Sequence, residues 1–371
     1  MSRLAPRLLV AARLLREFCR PHTWQRARPE VPTRILVLHH LLLGDSLMLT
    51  GLLAKLAQRY PQAQRFIACP NALTGLYAGL PFGVTALAWD PRSAAGLQTL
   101  FAAAPFDLVV IPAENRYSPL ARALGARWVV GFAKDQPAWK NWLLDEGRPF
   151  PQRPAAFADF CADLVDGPAP ASYQPADWPL ADCVPFEAPQ QRYAVLHPGA
   201  STRLKYWPAS RWQALADWLR SRGIQPVWSA GAKETELVAE LDPQGKFASY
   251  AGKLDLLQLA HLYRKAAVVI CPDTGVTHLA RIVGTPTVAL FGPGSSLISG
   301  AGQYWRASPF VALSHDIHCR NQDVTFRRHE PWIQRCARSY GTRSDQCAQP
   351  RCMESISLQE VQEACLHLMG K

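Results

Sequence analysis

The sequence predicts an α/β chain of two Rossmann-like domains whose parallel sheets face a central cleft. Three observations predict it. Short apolar runs alternate with segments of helical periodicity, the pattern of βαβ units. The alternation stops at residues 166–191, which hold six Pro and little periodicity, and then restarts. The length of 371 residues suits two domains, at about 100–200 residues each.

The elements follow in order. Residues 4–20 read as a helix, with Leu8, Ala11, Ala12, Leu15 and Phe18 at helical spacing and Arg between them. Such a basic amphipathic helix lies on an anionic membrane surface or packs on its own domain. Residues 29–33 form a short linker, so residues 1–33 are an N-terminal extension. Residues 34–41 (RILVLHHL) form a buried strand and 46–59 a helix; 65–68, 84–89 and 107–112 are strands, and 97–103 is a helix. Residues 34–170 make the first domain and 171–192 the linker. The second domain, 193–355, has strands at 193–197, 226–229, 267–271 and 287–291 and helices at 210–221, 234–241, 256–265 and 277–283. Residues 356–371 form a final amphipathic helix over 357–369.

Composition excludes several classes. A 49% hydrophobic and 19% charged chain is neither disordered nor collagen-like. The net charge of +11 is uneven: residues 1–34 hold eight Arg and two Glu. That favours anionic partners without choosing among them. A nucleic-acid role would rest on charge alone, since no RNA-binding motif or basic–aromatic repeat occurs. Ten scattered Cys without a CxxC pair fit a reducing compartment. The first twenty residues interleave Arg with Leu, unlike a secretory signal. The longest uncharged runs, 66–89 and 282–305, are broken by Gly and Pro and make poor membrane spans.

Several segments carry candidate chemistry. Gly44–Asp45 stands where the first strand hands over to a helix, so Asp45 is either a functional carboxylate or an ordinary N-cap. His39 and His40 point to opposite faces of a strand and read as structural. Residues 197–208 (HPGASTRLKYWP) combine Gly199, Ser201, Thr202, Arg203 and Lys205, suiting a phosphate group or a solvated loop. Glu234, at a helix start, would accept from a ribose hydroxyl or favour the helix dipole. Residues 272–286 (PDTGVTHLARIVGTP) run from strand to helix, with Asp273, Thr274, Gly275 and His278 at an anion-ready N-terminus; helix capping is the plainer alternative. Gly292 and Gly294 begin a GxGxxG-like pattern that Leu297 breaks. No Asp-x-Asp pair occurs, so no acidic site for a divalent metal is evident. Cys319, Cys336, Cys347 and Cys352 crowd the C-terminal part at spacings that match no zinc motif and read as reduced thiols.

Taken together, the LGD turn, HPGASTRLKYWPASRW, AGAKETE and PDTGVTHLARIVGTPTVALFGP resemble the heptosyltransferases of lipopolysaccharide core assembly, glycosyltransferase family 9, over residues 34–293. The resemblance implies a GT-B fold. It implies an inverting, metal-independent transfer of heptose from ADP-heptose to a sugar of the lipid-linked inner core, with no cofactor. By matching positions, Asp45 would be the general base and Lys205 would neutralise the diphosphate. Ser201 and Thr202 would sit near it, and Glu234 would bind the ribose. Asp273, Thr274, Gly275 and His278 would hold ADP and the transferred sugar. It implies a cytoplasmic enzyme working at the inner face of the inner membrane, which residues 1–20 would touch.

The sequence departs from the family in two places. His39, His40, Leu41 and Leu42 stand where a basic residue and hydroxyls often precede LGD, and GPGSS stands where an acid often follows the turn. Two alternatives follow: a GT-B enzyme using another nucleotide sugar, epimerases included, and a catalytically silent GT-B protein that binds anionic glycolipid.

Overall fold

The computed structural model describes residues 4–19 and 26–370. The parts of the expected N-terminal extension at residues 1–3 and 20–25, and residue 371, lie outside the described residues. The chain divides into two compact units. Unit 1 comprises Met1–Ser172, Asp177–Ala181 and Val324–Glu330; unit 2 comprises Tyr173–Ala176, Asp182–Asp323 and Pro331–Lys371.

Unit 1 holds α1 (Leu4–Phe18), β1 (Arg34–Leu38), α2 (Leu43–Leu47), α3 (Thr50–Arg59), β2 (Gln64–Cys69), β3 (Val84–Ala88), α4 (Ala94–Ala103), β4 (Leu108–Ile111), α5 (Ser118–Ala123), β5 (Trp128–Phe132), β6 (Glu146–Arg148) and α6 (Phe157–Phe160). The sheet order is β3-β2-β1-β4-β5-β6, with every pairing parallel. This is the Rossmann order. Central β1 is apolar on both faces because helices cover both sides. Leu36 and Leu38 join Val109, Leu97, Leu100 and Leu120 in one cluster. Each such fully buried side chain contributes about 1.5–3 kcal/mol.

Unit 2 repeats the plan. It holds β7 (Tyr193–Leu196), α7 (Ala209–Ser221), β8 (Gln225–Trp228), α8 (Thr235–Leu241), β9 (Ala248–Ser249), α9 (Leu256–Arg264), β10 (Val268–Pro272), α10 (Gly275–Ile282), β11 (Thr287–Phe291) and β12 (Phe310–Ser314). The order β12-β11-β10-β7-β8-β9 is the same Rossmann order counted from β7, again all parallel. The short pair β13 (Val324–Thr325) and β14 (Arg328–His329) belongs to unit 1; α11 (Arg351–Glu354) and α12 (Leu358–Leu368) close unit 2. Val361 and Cys365 of α12 pack with Trp212, Leu215 and Leu290. Gly284 takes a left-handed φ of 76°, which lets the chain turn out of α10 straight into β11.

Three elements differ from their sequence reading. The first strand stops at Leu38, and His39 turns inward: its Nδ1 accepts the Leu41 amide at 3.1 Å. The helix expected at 46–59 is two helices, broken at Met48–Leu49. On α1 the packed side is offset from the apolar stripe read from the sequence. Pro6, Leu9 and Val10 face the unit, and Leu8, Ala11, Ala12 and Leu15 are exposed. The strands β5, β6, β9, β12, β13 and β14 have no counterpart in the sequence reading.

Among the described residues, no helix is long and apolar enough to cross a membrane.

Candidate functional site

The three motif loops of unit 2 leave the carboxyl ends of β7, β8 and β10, which are adjacent in the order β10-β7-β8. Parallel α/β sheets bind ligands at that edge, since helix N-termini and loop amides converge there.

After β10, Asp273 is buried and stands at the head of α10. Lys205 reaches it from the loop after β7. Its Nζ lies 3.0 Å from Asp273 Oδ2 and donates to the Asp273 carbonyl at 2.5 Å. The approach is close because position 294 is glycine. A Cβ there would stand 2.0 Å from Asp273 Oδ2. Gly294 thus acts by admitting this carboxylate, a role the broken GxGxxG-like pattern did not suggest.

Thr274 is the N-cap of α10, with Gly275 the first helical residue. The Thr274 backbone N–H donates to Thr277 Oγ1 at 3.3 Å, whose hydroxyl donates to the Pro272 carbonyl at 3.0 Å. Thr274 Oγ1 takes the capping-box position toward the Thr277 amide, the helix-capping role the sequence also offered, but falls short of hydrogen-bond geometry, so it and His278 Nδ1 are buried without a hydrogen-bond partner among the described residues. His278 is 2% exposed. Burial, reinforced by Arg281 and Lys205, holds its pKa well below the usual histidine value, so the ring is neutral near pH 7. Two unsatisfied buried polar atoms in consecutive turns, beside a lysine and a helix N-terminus, suit a polar anionic ligand.

Glu234 closes the loop after β8. Its Oε2 accepts the Gly231 amide at 3.0 Å, and a Cβ at Gly199 would meet the same oxygen at 2.2 Å. The HPG and AGAKE loops therefore touch at Glu234. Glu234 also lines a cavity of about 510 Å³ with Arg203, Tyr206 and Lys233. Thr202 Oγ1 accepts the Leu204 amide at 3.3 Å and caps its own turn; Ser201 is exposed. His197 is a satisfied core residue, 2.9 Å from Ser229 Oγ, with burial lowering its pKa to about 4.

Asp45 lies in unit 1, half-buried on the first turn of α2. The N-cap of α2 is Leu42, so the ordinary N-cap alternative for Asp45 does not hold. Its neighbour Ser46 stands 3.4 Å from both His39 Nε2 and Tyr77 Oη. His39 is held neutral, with burial lowering its pKa to about 3.

Cys319, Cys336, Cys347 and Cys352 are free thiols and line one cavity of about 380 Å³. The sequence separations gave no signal of this meeting. Among the described residues no group of three or more His, Cys, Asp or Glu side chains is placed to hold a metal ion.

The model of the family described as glycosyltransferase family 9 (heptosyltransferase) matches residues 116–318. Lipopolysaccharide heptosyltransferase 1 of Pseudomonas aeruginosa is 32% identical over 163 residues, covering 43% of this chain and 43% of the relative. Lipopolysaccharide core heptosyltransferase OpsX of Haemophilus influenzae is 24% identical over 279 residues, covering 71% of this chain and 80% of the relative. The chain thus spans less than half the length of the first and four-fifths of the second. The structure of Escherichia coli ADP-heptose lps heptosyltransferase II superposes with a TM-score of 0.66 at 18% identity, over 91% of this chain and 98% of that one. That likeness gives the fold, GT-B. With more than half of its residues matched by the family, the chain belongs to glycosyltransferase family 9, the heptosyltransferases.

Proposed function

We propose that this chain is an inverting, metal-independent glycosyltransferase that moves heptose from ADP-heptose to a sugar of the lipopolysaccharide inner core. The observation that carries the reading is the strand edge of unit 2. Lys205, the N-terminus of α10 and the unsatisfied Thr274 Oγ1 and His278 Nδ1 lie together there. A sugar diphosphate supplies the missing partners.

In this reading the diphosphate lies against Lys205 and the first amides of α10. Ser201 and Thr202 flank it, and Glu234 accepts from a ribose hydroxyl. Asp273 fixes Lys205, and neutral His278 hydrogen-bonds the donor. Asp45 takes the proton from the acceptor hydroxyl as that oxygen attacks the anomeric carbon. The bond from that carbon to the phosphate oxygen breaks, and ADP leaves with the electron pair. Attack opposite the leaving group inverts the centre. The charge gained by ADP meets Lys205 and fixed helix amides, already oriented in the ground state. They supply the positive charge that a divalent cation supplies elsewhere. The acceptor is a lipid-linked core saccharide, met from the cytoplasm at the inner face of the inner membrane.

The test is ADP release from purified protein, with EDTA present, using ADP-heptose and truncated core glycolipids. Release with one acceptor supports the reading. Release from another nucleotide sugar in preference would favour the second reading, which the GPGSS turn motivates. ADP binding without release from any donor would favour a silent glycolipid-binding protein.

A further inference from the structure

Four thiols outside the motif loops meet at one place in unit 2. Cys319, Cys336, Cys347 and Cys352 are half-buried and free, and all four line the cavity of about 380 Å³. Burial pushes the Cys352 thiol up to about 11, and Cys319, Cys336 and Cys347 lie near enough to push in the same direction. Backbone contacts set each position. Gln322 and Arg335 exchange both N–H···O bonds at 2.9 Å, and the Ala337 amide donates to Asn321 Oδ1 at 3.0 Å, which draws the chain at Cys319 toward the chain at Cys336. The Cys336 amide donates to the Pro293 carbonyl at 2.9 Å. The Cys347 amide donates to the Ser339 carbonyl at 3.0 Å, and the Cys347 carbonyl accepts the Gly341 amide at 3.2 Å. Cys352 stands near the start of α11 against Gly292, where a Cβ would come 3.1 Å from its Sγ.

The surroundings favour sulfur that carries negative charge. Arg320, Arg338 and Arg351 line the same cavity, and no Asp or Glu is among its described lining residues. Arg320 is fixed in place: its Nη2 donates to the Gly292 carbonyl at 3.0 Å and to Ser314 Oγ at 3.3 Å. Three guanidiniums without a carboxylate suit a dianionic centre, the charge of four thiolates around one divalent ion. An oxyanion would find four thiols where it needs strong donors, and S–H donates weakly. Among the described residues, the chain between β12 and α11 forms only the short pair β13 and β14. That stretch runs well beyond the about 12–15 residues that loops without structure of their own usually reach. A staple there has something to hold.

We infer that Cys319, Cys336, Cys347 and Cys352 bind one zinc or iron(II) ion as a tetrahedral four-thiolate site. Four sulfur ligands in a tetrahedron select those two among the common divalent ions. As free thiols the four are not gathered into a ligand set. Protonated thiols do not attract one another, and the ion supplies the pull: four metal–sulfur bonds form and four protons leave to solvent. A change of rotamer alone moves an Sγ by about 3 Å. Four protein ligands leave the ion no open position, so it takes no part in group transfer. Its work is structural. It ties the chain around Cys319, Cys336, Cys347 and Cys352 to the turn Gly292–Gly294, whose last glycine admits Asp273. The inference goes beyond the donor reading and stands without it.

The first measurement is the metal content of the full chain, produced with zinc and iron in the medium and purified under reductant without chelator. About one zinc or iron per chain is expected. Cobalt(II) added to the metal-stripped chain should give the strong visible bands of a tetrahedral ion and thiolate charge transfer in the near ultraviolet. Alkylation by iodoacetamide, mapped by mass spectrometry, reads the four positions without any variant. Each should react at least about tenfold faster once a chelator removes the ion. Exposed Cys19 should react equally in both states, and buried Cys271 should stay protected, which shows that unit 2 remains folded. Cys336→Ser/Cys352→Ser should lose the metal and lower the melting temperature by about 5 °C or more; where that variant fails to fold, alkylation of the native chain decides. No metal bound after zinc or iron is supplied, disulfides joining these four cysteines in the reduced preparation, or alkylation unchanged by the chelator would overturn the inference. None of these readouts needs a sugar donor or acceptor, so the site is tested even where the transfer assay fails.

Discussion

Lys205 Nζ is held by both the side chain and the carbonyl of Asp273, at 3.0 and 2.5 Å, across 68 positions of sequence. This fixes a cation on the rim of α10 before any ligand arrives. Its value for catalysis would lie in that prior orientation, because charge that need not reorganise stabilises a leaving diphosphate most. Lys205→Met should therefore lower kcat/KM for ADP-heptose by about 10²–10³, with the melting temperature little changed. Steady-state kinetics with a thermal scan checks this; an unchanged kcat/KM would remove Lys205 from the mechanism.

Asp45→Asn keeps the shape of α2 and removes the proposed base. The expected loss is about 10²–10⁴ in kcat, with the ADP dissociation constant unchanged, since the nucleotide is assigned to unit 2. Stopped-flow turnover and calorimetric ADP titration separate the two. A parallel loss of ADP affinity would contradict the assignment.

Gly294→Ala places a Cβ 2.0 Å from Asp273 Oδ2. The carboxylate has to move, and Lys205 loses its anchor. ADP affinity should fall about tenfold, roughly one well-placed charged hydrogen bond. Gly245→Ala is no equal control because its φ is +60°; Gly75→Ala, with open space around it, should leave ADP affinity unchanged.

Stability should depend on pH through buried histidines. His39 and His197 have folded pKa values lowered to about 3 and about 4 by burial, from 6.5. Both are neutral in the folded state, while the unfolded chain takes up protons first as pH falls. Their contribution is fully present above about pH 6.5 and is lost progressively toward the folded values. At about pH 5 each costs roughly 2 kcal/mol relative to neutral pH. Urea midpoints measured from neutral to acidic pH should fall over that window, and His197→Gln should flatten the slope. A midpoint constant down to about pH 5 would refute this.

What could be read from the sequence follows from where the physics is local. Thr287–Phe291 is legible end to end, because a fully buried strand between β10 and β12 is a continuous apolar run. Glu146–Arg148 gave no signal: it is a three-residue edge strand that presents charge, and only pairing with β5 makes it a strand. Phe310–Ser314 is likewise an edge, half-exposed along its length. The stripe on α1 was correctly periodic, but periodicity does not say which side packs. Pro6, Leu9 and Val10 won because α4 and α5 offer them partners.

The candidate site divides the same way. The motif loops were legible because each follows a buried strand and opens a helix. Their meeting was not, since Gly199 against Glu234 and Gly294 against Asp273 join segments far apart in sequence. Nor did any local pattern announce Arg328. It is buried and donates to the carbonyls of Ala113, Phe132 and Ala133 at 2.7–3.0 Å, and so fastens residues 324–330 into unit 1.

The central claim is that the strand edge of unit 2 holds the donor's diphosphate. A crystal structure of the chain with ADP tests it most directly. The account predicts the diphosphate within hydrogen-bond distance of Lys205 Nζ and the first amides of α10, with the ribose at Glu234. A diphosphate bound elsewhere, with Lys205 still closed on Asp273, would contradict it.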